Sequence, residues 1–350
     1  MFIKNCWYVA AWSSEVVAGK PFARTLLDVP VALWRDANGK VIALRDRCSH
    51  RGAPLSTGRL EGDSIRCLYH GLRFDVQGRC IEIPAQERIP PGLDVPSYPV
   101  IEQHKWIWIW MGDPAKADPA KLPDNHYLDD PAWRSMEGYV HYDTNYLLIA
   151  DNLLDLAHVS YVHATTLGGT EAIAKVNPKI RLSDDGVHVE RWVRNTVPAP
   201  FVQKVRPYDG PVDRWMNYDF LVPGIFLMDS GNAPTGTGAP EGHRVDATEF
   251  RSTQALTPES EDATHYFFSQ PHNFLIDQPE ITRTIHENVV KAFLEDHQMI
   301  HDQARNLRRS SNQDFKMGSI RADEALGKYR WLVQKRLDEE AKVKVQAESY

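Results

Sequence analysis

The first hundred or so residues alternate short apolar runs with turn residues, the pattern of strands joined by tight connections. Val31-Ala32-Leu33-Trp34 and Val41-Ile42-Ala43-Leu44 flank Asp36-Ala37-Asn38-Gly39, which predicts a hairpin, and Gly78 after Phe74-Asp75-Val76-Gln77 marks another turn. Trp106-Ile107-Trp108-Ile109-Trp110 is apolar at every position and predicts a strand buried on both faces. From Pro114 the composition turns to Asp, Pro, Ala and Lys as far as Asp130, as in a linker. Helical spacing then takes over. One helix is expected from about Tyr146 to Val162, and a longer one begins near Pro279 with Ile281, Ile285, Val289 and Phe293 along its core face. A last amphipathic helix over 322–344 carries Leu326, Trp331, Leu332, Val333 and Leu337. The pattern predicts an α+β protein with an all-β domain over 1–115, a linker over 116–130 and a second domain over 131–350.

Composition narrows this picture only a little. With 350 residues, 42% apolar and 25% charged, the chain suits two ordinary globular domains. A net charge of −7 without a clustered basic face argues against a nucleic-acid partner. The opening Met1-Phe2-Ile3-Lys4-Asn5-Cys6-Trp7 lacks a signal peptide's apolar core and no stretch reaches bilayer-spanning length, so no membrane association and a cytoplasmic location are expected. Four cysteines make no disulfide framework, which fits a reducing compartment. Cys6 and Cys80 have no metal-type neighbours and read as small buried hydrophobes.

Candidate chemistry sits in two constellations. Cys48-Ser49-His50 is followed, after sixteen intervening residues, by Cys67-Leu68-Tyr69-His70. Two thiolates and two imidazoles from two short loops fit a Rieske-type [2Fe–2S] cluster, one iron taking both cysteines and the other both histidines. Structural zinc accepts the same four donors, but zinc loops usually pair like with like, whereas each loop here carries one Cys and one His. Gly52, Pro54 and Gly71 suit tight loops that turn backbone N–H groups towards sulfur. In the second constellation, Asn152, Asp155 and His158 step by three and would share one helix face. His163 lies five residues beyond His158, about 140° around an ideal helix, so the helix must tighten, bulge or end for both rings to reach one metal. Thr165, Thr166, Gly168 and Gly169 suit such an ending. Two histidines need a carboxylate to complete a non-haem Fe(II) site, and Glu295 and Asp296, next to the apolar stripe of the long helix, are the candidates.

Taken together, the chain resembles the terminal oxygenase components of Rieske non-haem iron aromatic oxygenases, in the branch of vanillate O-demethylase, toluenesulfonate methyl-monooxygenase and dicamba demethylase. The likeness rests on Asn5-Cys6-Trp7-Tyr8-Val9-Ala10, the cluster motif, Trp108-Ile109-Trp110-Met111-Gly112-Asp113-Pro114, Asp151-Asn152-Leu153-Leu154-Asp155 through His163, Val212-Asp213-Arg214-Trp215 and Leu256-Thr257-Pro258-Glu259, and runs to about residue 305. It implies an N-terminal all-β Rieske domain and a catalytic domain with an antiparallel sheet flanked by helices, of helix-grip or START-like type. It implies that Cys48, His50, Cys67 and His70 hold the cluster, and that His158, His163 and Asp296 hold mononuclear Fe(II). Asp155 matches the family's bridging acid between a cluster histidine and an iron histidine, and Asn152 would support the iron. In this family the two metals of one subunit are too far apart, so the cluster serves the iron of a neighbour in a homotrimer.

The implied reaction uses O₂ and electrons from NAD(P)H, delivered by a separate flavin/iron-sulfur reductase, to hydroxylate a methyl or methoxy carbon of an aromatic acid. O-demethylation of a vanillate-like methoxybenzoate with release of formaldehyde is the first expectation; methyl hydroxylation of a toluenesulfonate- or toluate-like substrate is the alternative. The substrate anion needs donors, and Arg191, Arg194, Lys204, Arg206 and His272 are available. Asn232 through Pro240 contains a Gly-x-Gly without the third glycine or the strand-to-helix setting of a dinucleotide site, and reads as a mobile loop near the pocket. A Rieske electron carrier without oxygen chemistry is the competing class, although the two-histidine, one-carboxylate set exceeds what a carrier needs. All-zinc structural sites would instead give a colourless protein.

Overall fold

The computed structural model describes residues 1–168, 170–309 and 317–348, with side chains to residue 342; Gly169 lies outside the described residues. The chain divides into two compact units, Met1–Asp124 with Thr257–Glu261, and Asn125–Leu256 with the residues from Asp262 onward. The division at 124/125 falls inside the Asp- and Pro-rich stretch. That stretch is not featureless, because Asp113 and Asp118 each accept from a backbone N–H two residues on and cap short 3₁₀ turns at Pro114–Lys116 and Pro119–Lys121.

The first unit is all β. Strands β1 (Trp7–Trp12), β2 (Phe22–Leu26), β3 (Val29–Arg35) and β4 (Val41–Arg45) are followed by β5 (Arg59–Glu61), β6 (Ser64–Arg66), β7 (Arg73–Phe74) and β8 (Cys80–Glu82), then β9 (Val100–Gln103) and β10 (Trp106–Trp110). They form three small sheets ordered β1-β10-β9, β2-β3-β4 and β5-β6-β7-β8. The β3–β4 hairpin turns where Asp36-Ala37-Asn38-Gly39 places it. β10 is the central strand of its sheet and is buried at every residue, which accounts for its lack of polar alternation. Thr257–Glu261 joins this unit through backbone bonds from Leu27 to Pro258 (2.9 Å) and Asp28 to Glu259 (2.8 Å), and Thr257 Oγ1 donates to the Val9 carbonyl at 2.7 Å. One apolar core is built from Tyr8, Val31, Leu33 and Ile107. A second contains Trp34, Leu55, Ile65 and Phe74 together with Cys48, Cys67 and Cys80, so Cys80 is the buried hydrophobe its surroundings predict.

The second unit is built on a seven-stranded sheet of β11 (Gly138–Tyr142), β12 (Lys179–Leu182), β13 (Gly186–Thr196), β14 (Val212–Leu221), β15 (Ile225–Pro234), β16 (Thr248–Ser260) and β17 (Ala263–Ser269). The order β11-β17-β16-β15-β14-β13-β12 is a run of antiparallel hairpins to which the first strand returns at one edge. Helices α1 (Tyr146–Leu154), α2 (Ala172–Lys175), α3 (Pro200–Val205), α4 (Pro279–Arg309) and α5 (Glu324–Glu348) complete it.

On α4 the predicted stripe is real: Ile285, Val289 and Phe293 are buried, and Phe293 packs on Tyr266 and Phe268 of β17. On α5 one expectation needs correcting. Trp331 is 56% exposed, with Lys335 over its ring, while Ala325, Tyr329, Leu332 and Val333 are buried. Tyr329 sets the buried face, and a residue two positions on points the other way. The Asn232–Pro240 segment also begins as strand, since β15 runs to Pro234 before turning through Gly236 and Gly238, both at positive φ.

Candidate metal centres

The two cluster loops share one conformation. Cys48 N–H donates to Ala53 O and Gly52 N–H donates back to Cys48 O, both at 2.8 Å; Cys67 N–H donates to Leu72 O at 2.8 Å and Gly71 N–H to Cys67 O at 3.0 Å. Each loop therefore closes on a glycine four residues after its cysteine, at φ 73° for Gly52 and 79° for Gly71. The cysteines are buried and not joined in a disulfide, whereas His50 and His70 are exposed with ring centroids 4.6 Å apart. Burial, with Cys67 alongside, pushes the Cys48 thiol up to about 11, so Cys48 becomes thiolate only against a metal. Two inward sulfurs and two outward imidazoles fit a cluster with one buried and one exposed iron.

Side chains brace both loops. Ser49 Oγ donates to Leu93 O at 2.6 Å, and Asp46 accepts from Ser56 N at 2.6 Å. Arg66 Nη1 donates to Gly71 O at 2.7 Å while its other nitrogens engage Glu61 and Glu82. Hydrogen bonds from Arg66 and then Arg59 hold the Glu61 carboxyl down at about 2.

At the second constellation the expected single helix to Val162 does not form. Helix α1, capped by Asn145, ends at Leu154, and Asp155 leaves helical geometry at φ −118°, ψ 89°. The Asp155 carboxylate accepts from Ala157 N–H at 2.9 Å and starts a 3₁₀ turn over Leu156–Ser160, which is followed by a wide turn over Ala164–Gly168. A local cap outcompetes helix continuation, as short acidic side chains do. This break solves the angular problem posed by the five-residue spacing: the His158 and His163 rings come to 5.3 Å between centroids.

Asp296, buried on α4, completes the set. Its Oδ1 lies 3.1 Å from His163 Nε2 and 3.6 Å from His158 Nε2, and one donor atom from each of the three lies within 4.8 Å of the others. Asn152 Nδ2 also reaches Asp296 Oδ1, at 3.1 Å. The far nitrogens of the rings are held too. His158 Nδ1 meets the Asp155 main-chain carbonyl at 2.6 Å, so in this chain Asp155 reaches that ring through its backbone, its carboxylate being engaged in the cap. His163 Nδ1 meets Glu295 Oε2 at 2.8 Å, and Thr166 Oγ1 donates to the same oxygen at 2.9 Å. Both rings are thereby oriented to present Nε2. Burial lowers the His158 pKa and keeps the ring neutral, as a metal ligand must be; the Asp296 and Glu295 carboxylates outweigh burial at His163 and raise it. Two imidazoles and a buried carboxylate converging from one side fit ferrous iron with open positions.

These three residues form one wall of a cavity of about 770 Å³, counted with its open mouth, and Leu153, Val159, Met228 and Phe293 supply much of its apolar surface. None of the five donors expected to meet a substrate anion lines it. Arg191 is buried but directed at Ile173 O (3.4 Å), Arg194 is exposed beside Glu241, Lys204 reaches Asn288, Arg206 reaches Ala247 O, and His272 is held by Phe274 O and Thr282. Arg214 of β14 does line the cavity, although in the sequence it stands only within the Val212-Asp213-Arg214-Trp215 likeness and not among those five donors. Its signal was strand parity, because it alternates with Val212, Met216, Tyr218 and Phe220 on a face otherwise apolar. Glu295 was seen only as a rival to Asp296, and its bond to His163 comes from the fold.

Among the described residues, no helix is long and apolar enough to cross a membrane. Comparison with known proteins places the site in a family. Residues 6–99 match the Rieske [2Fe-2S] domain, and residues 142–339 match the vanillate O-demethylase oxygenase C-terminal domain. The chain is 48% identical to an iron-sulfur subunit of the toluene-4-sulfonate monooxygenase system of Comamonas testosteroni, covering 97% of this chain and 98% of that one. It is 38% identical to the dicamba O-demethylase oxygenase component of Stenotrophomonas maltophilia, over 85% of this chain and 87% of that one. A crystal structure of dicamba monooxygenase bound to dicamba superposes with a TM-score of 0.89 at 36% identity, covering 97% of this chain and 99% of that one. Oxygenases of this family carry a Rieske cluster and a mononuclear iron and draw electrons from a separate reductase, and this chain belongs to that family as the oxygenase component of a Rieske non-haem iron monooxygenase.

Proposed function

We propose that this oxygenase hydroxylates a methyl-type carbon on an aromatic acid, with Cys48, His50, Cys67 and His70 holding the cluster and His158, His163 and Asp296 holding the iron. The observation that carries the reading is the convergence of those last three side chains on the wall of a largely apolar cavity. When bound, the cluster supplies single electrons and the iron binds and activates dioxygen. The chain's own part is positional. Leu153, Val159 and Phe293 hold an aromatic ring and exclude water beside the triad, so that the methyl carbon and not the ring faces the metal. Glu295 and the Asp155 carbonyl fix the tautomers of His163 and His158, and Asn152 holds the Asp296 carboxylate in place. Asp155 serves as the link towards the cluster histidine of a neighbouring subunit in a ring of three, in a cytoplasmic system with a flavin/iron-sulfur reductase.

Attack on a ring methyl stops at the alcohol, whereas attack on a methoxy carbon gives a hemiacetal that collapses to a phenol and formaldehyde. The 48%-identical relative acts, by its name, on toluene-4-sulfonate, which favours the ring-methyl outcome; the O-demethylase relatives at 38% and 36% favour the ether. Incubation with 4-toluenesulfonate, 4-toluate and vanillate, a surrogate reductase, NADH and air decides between them. Substrate loss without formaldehyde supports methyl hydroxylation, and equimolar formaldehyde supports demethylation. NADH-dependent reduction of the cluster with no substrate consumed across such a panel would overturn the aromatic-acid reading.

A further inference from the structure

On the face of β14 and β15 that turns to the cavity, Arg214, Met216 and Tyr218 stand opposite Asn232, Ser230 and Met228. The wall therefore grades from a charged and amide end to an apolar one. Arg214 is 7% exposed, and no carboxylate pairs with it among the described residues. Two of its nitrogens donate to the turn after His163, Nη1 to Gly168 O at 2.9 Å and Nη2 to Leu167 O at 2.6 Å. A guanidinium has five N–H donors, so these bonds leave donors over. Burial lowers its pKa to about 10, which still leaves it charged at neutral pH. Arginines on neighbouring positions are treated differently. Arg244 and Arg251 both pair with Asp229 and Glu249. A buried cation without a counter-charge is costly unless something brings one.

A second observation points the same way. Asn232, the cross-strand partner of Arg214, is 3% exposed, lines the cavity, and has a buried amide oxygen without a hydrogen-bond partner. Rotation of the amide exchanges its oxygen and nitrogen, so the group left for a ligand can be N–H. We propose that Arg214, with Asn232 beside it, is the anion anchor of the cavity: it binds the sulfonate or carboxylate of the aromatic substrate and sets which end of the ring meets His158, His163 and Asp296. This rests on the aromatic-acid reading above and extends it to a named specificity-determining residue. A planar guanidinium takes two oxygens of either group at once, while an amide or ether in the same place leaves the buried charge unanswered.

The test is calorimetric titration of the anaerobic, metal-loaded full chain with 4-toluenesulfonate and 4-methoxybenzoate, each set against its neutral counterpart, 4-toluenesulfonamide and 4-methoxybenzamide. Arg214→Gln should weaken both anions on the order of 10- to 100-fold. It should leave the neutral compounds within about twofold and retain iron and cluster, and Arg214→Lys should recover part of the loss. Asn232→Ala should cost the anions several-fold and the neutral compounds nothing, which keeps the proposal testable if Arg214→Gln fails to fold. Equal anion affinity in wild type and Arg214→Gln overturns the anchor alone, as does a loss shared by anions and neutral compounds together with the iron, since that is the mark of a residue that only pins the turn. Wild-type protein that binds the neutral compounds but neither anion overturns the aromatic-acid reading and the anchor with it.

Discussion

At the scale of single residues, each proposed iron ligand depends on a neighbour that touches no metal. Glu295 holds His163 Nδ1 at 2.8 Å and receives Thr166 at 2.9 Å. Replacing Glu295 by Gln removes the charge that favours the Nδ1–H tautomer. Iron affinity should fall about 10- to 100-fold, measured by competition with a chelator, while the cluster absorbance stays unchanged. Asp155 makes a different test. Asparagine can still cap Ala157 and leaves the backbone carbonyl that meets His158, so Asp155→Asn should keep both metals. If electrons cross at this carboxylate, nearly all turnover should be lost while the cluster is still reduced as before; turnover near the wild-type rate would exclude that route. Ligand identity at this scale was only partly legible. Asp296 stands three residues after Phe293 and four before Ile300, so an acid occupies a position on the buried face of α4. That is a sequence-level signal. Spacing alone does not choose it over Glu295; the resemblance named Asp296, and the structure turns Asp296 to both Nε2 atoms and Glu295 to His163 Nδ1, as adjacent helical residues differ by about 100°.

At the scale of elements, the loops and turns carry the chemistry and the helices and strands aim it. The six-residue loop repeated at Cys48 and Cys67 requires a glycine at its fifth position in both copies. A Cβ on Gly71 would also come within 2.6 Å of Pro84 Cγ. Gly71→Ala should therefore destabilise the loop by about 1–2 kcal/mol, read as a lower denaturation midpoint and faster bleaching of the cluster. The ion pairs of Arg66 brace the same loop and give it a pH dependence. Glu61 has a folded pKa depressed to about 2, so its contribution to stability is complete above the unfolded value of about 4.3 and fades as pH falls towards 2. Thermal melts of Glu61→Gln and wild type should differ most above that value and converge on acidification. The broken helix at Asp155 was the least legible element. Apolar periodicity runs through residues 146–162 without interruption, and only a side chain bonding to its own backbone ends the helix at Leu154.

At the scale of the whole molecule, function on this reading extends past one chain. A ring of three would run near three times 39.9 kDa in sedimentation, and turnover per iron should fall on dilution below its assembly range. Co-expression of a Cys48→Ser chain, which cannot hold the cluster, with a His158→Ala chain, which cannot hold the iron, should regain part of the wild-type rate if electrons cross between subunits. Two dead variants that stay dead together would exclude that route.

The amino-acid sequence by itself determined the class of chemistry, because metal ligands and tight loops are written in residue types and spacings that few other functions need: one cysteine and one histidine in each of two loops, and two histidines ahead of a stop signal. It also determined the elements with the clearest apolar pattern, the unbroken run of β10 and the periodic face of α4, where local pattern and burial agree. Tertiary structure alone decided what depends on direction. It turned Glu295 onto His163 and Asp296 onto both rings, and left Arg214 buried on the cavity wall while the five expected donors point elsewhere. Spacing along a chain says which residues can share a face, but whether a charge on that face meets a partner depends on strands far away in sequence.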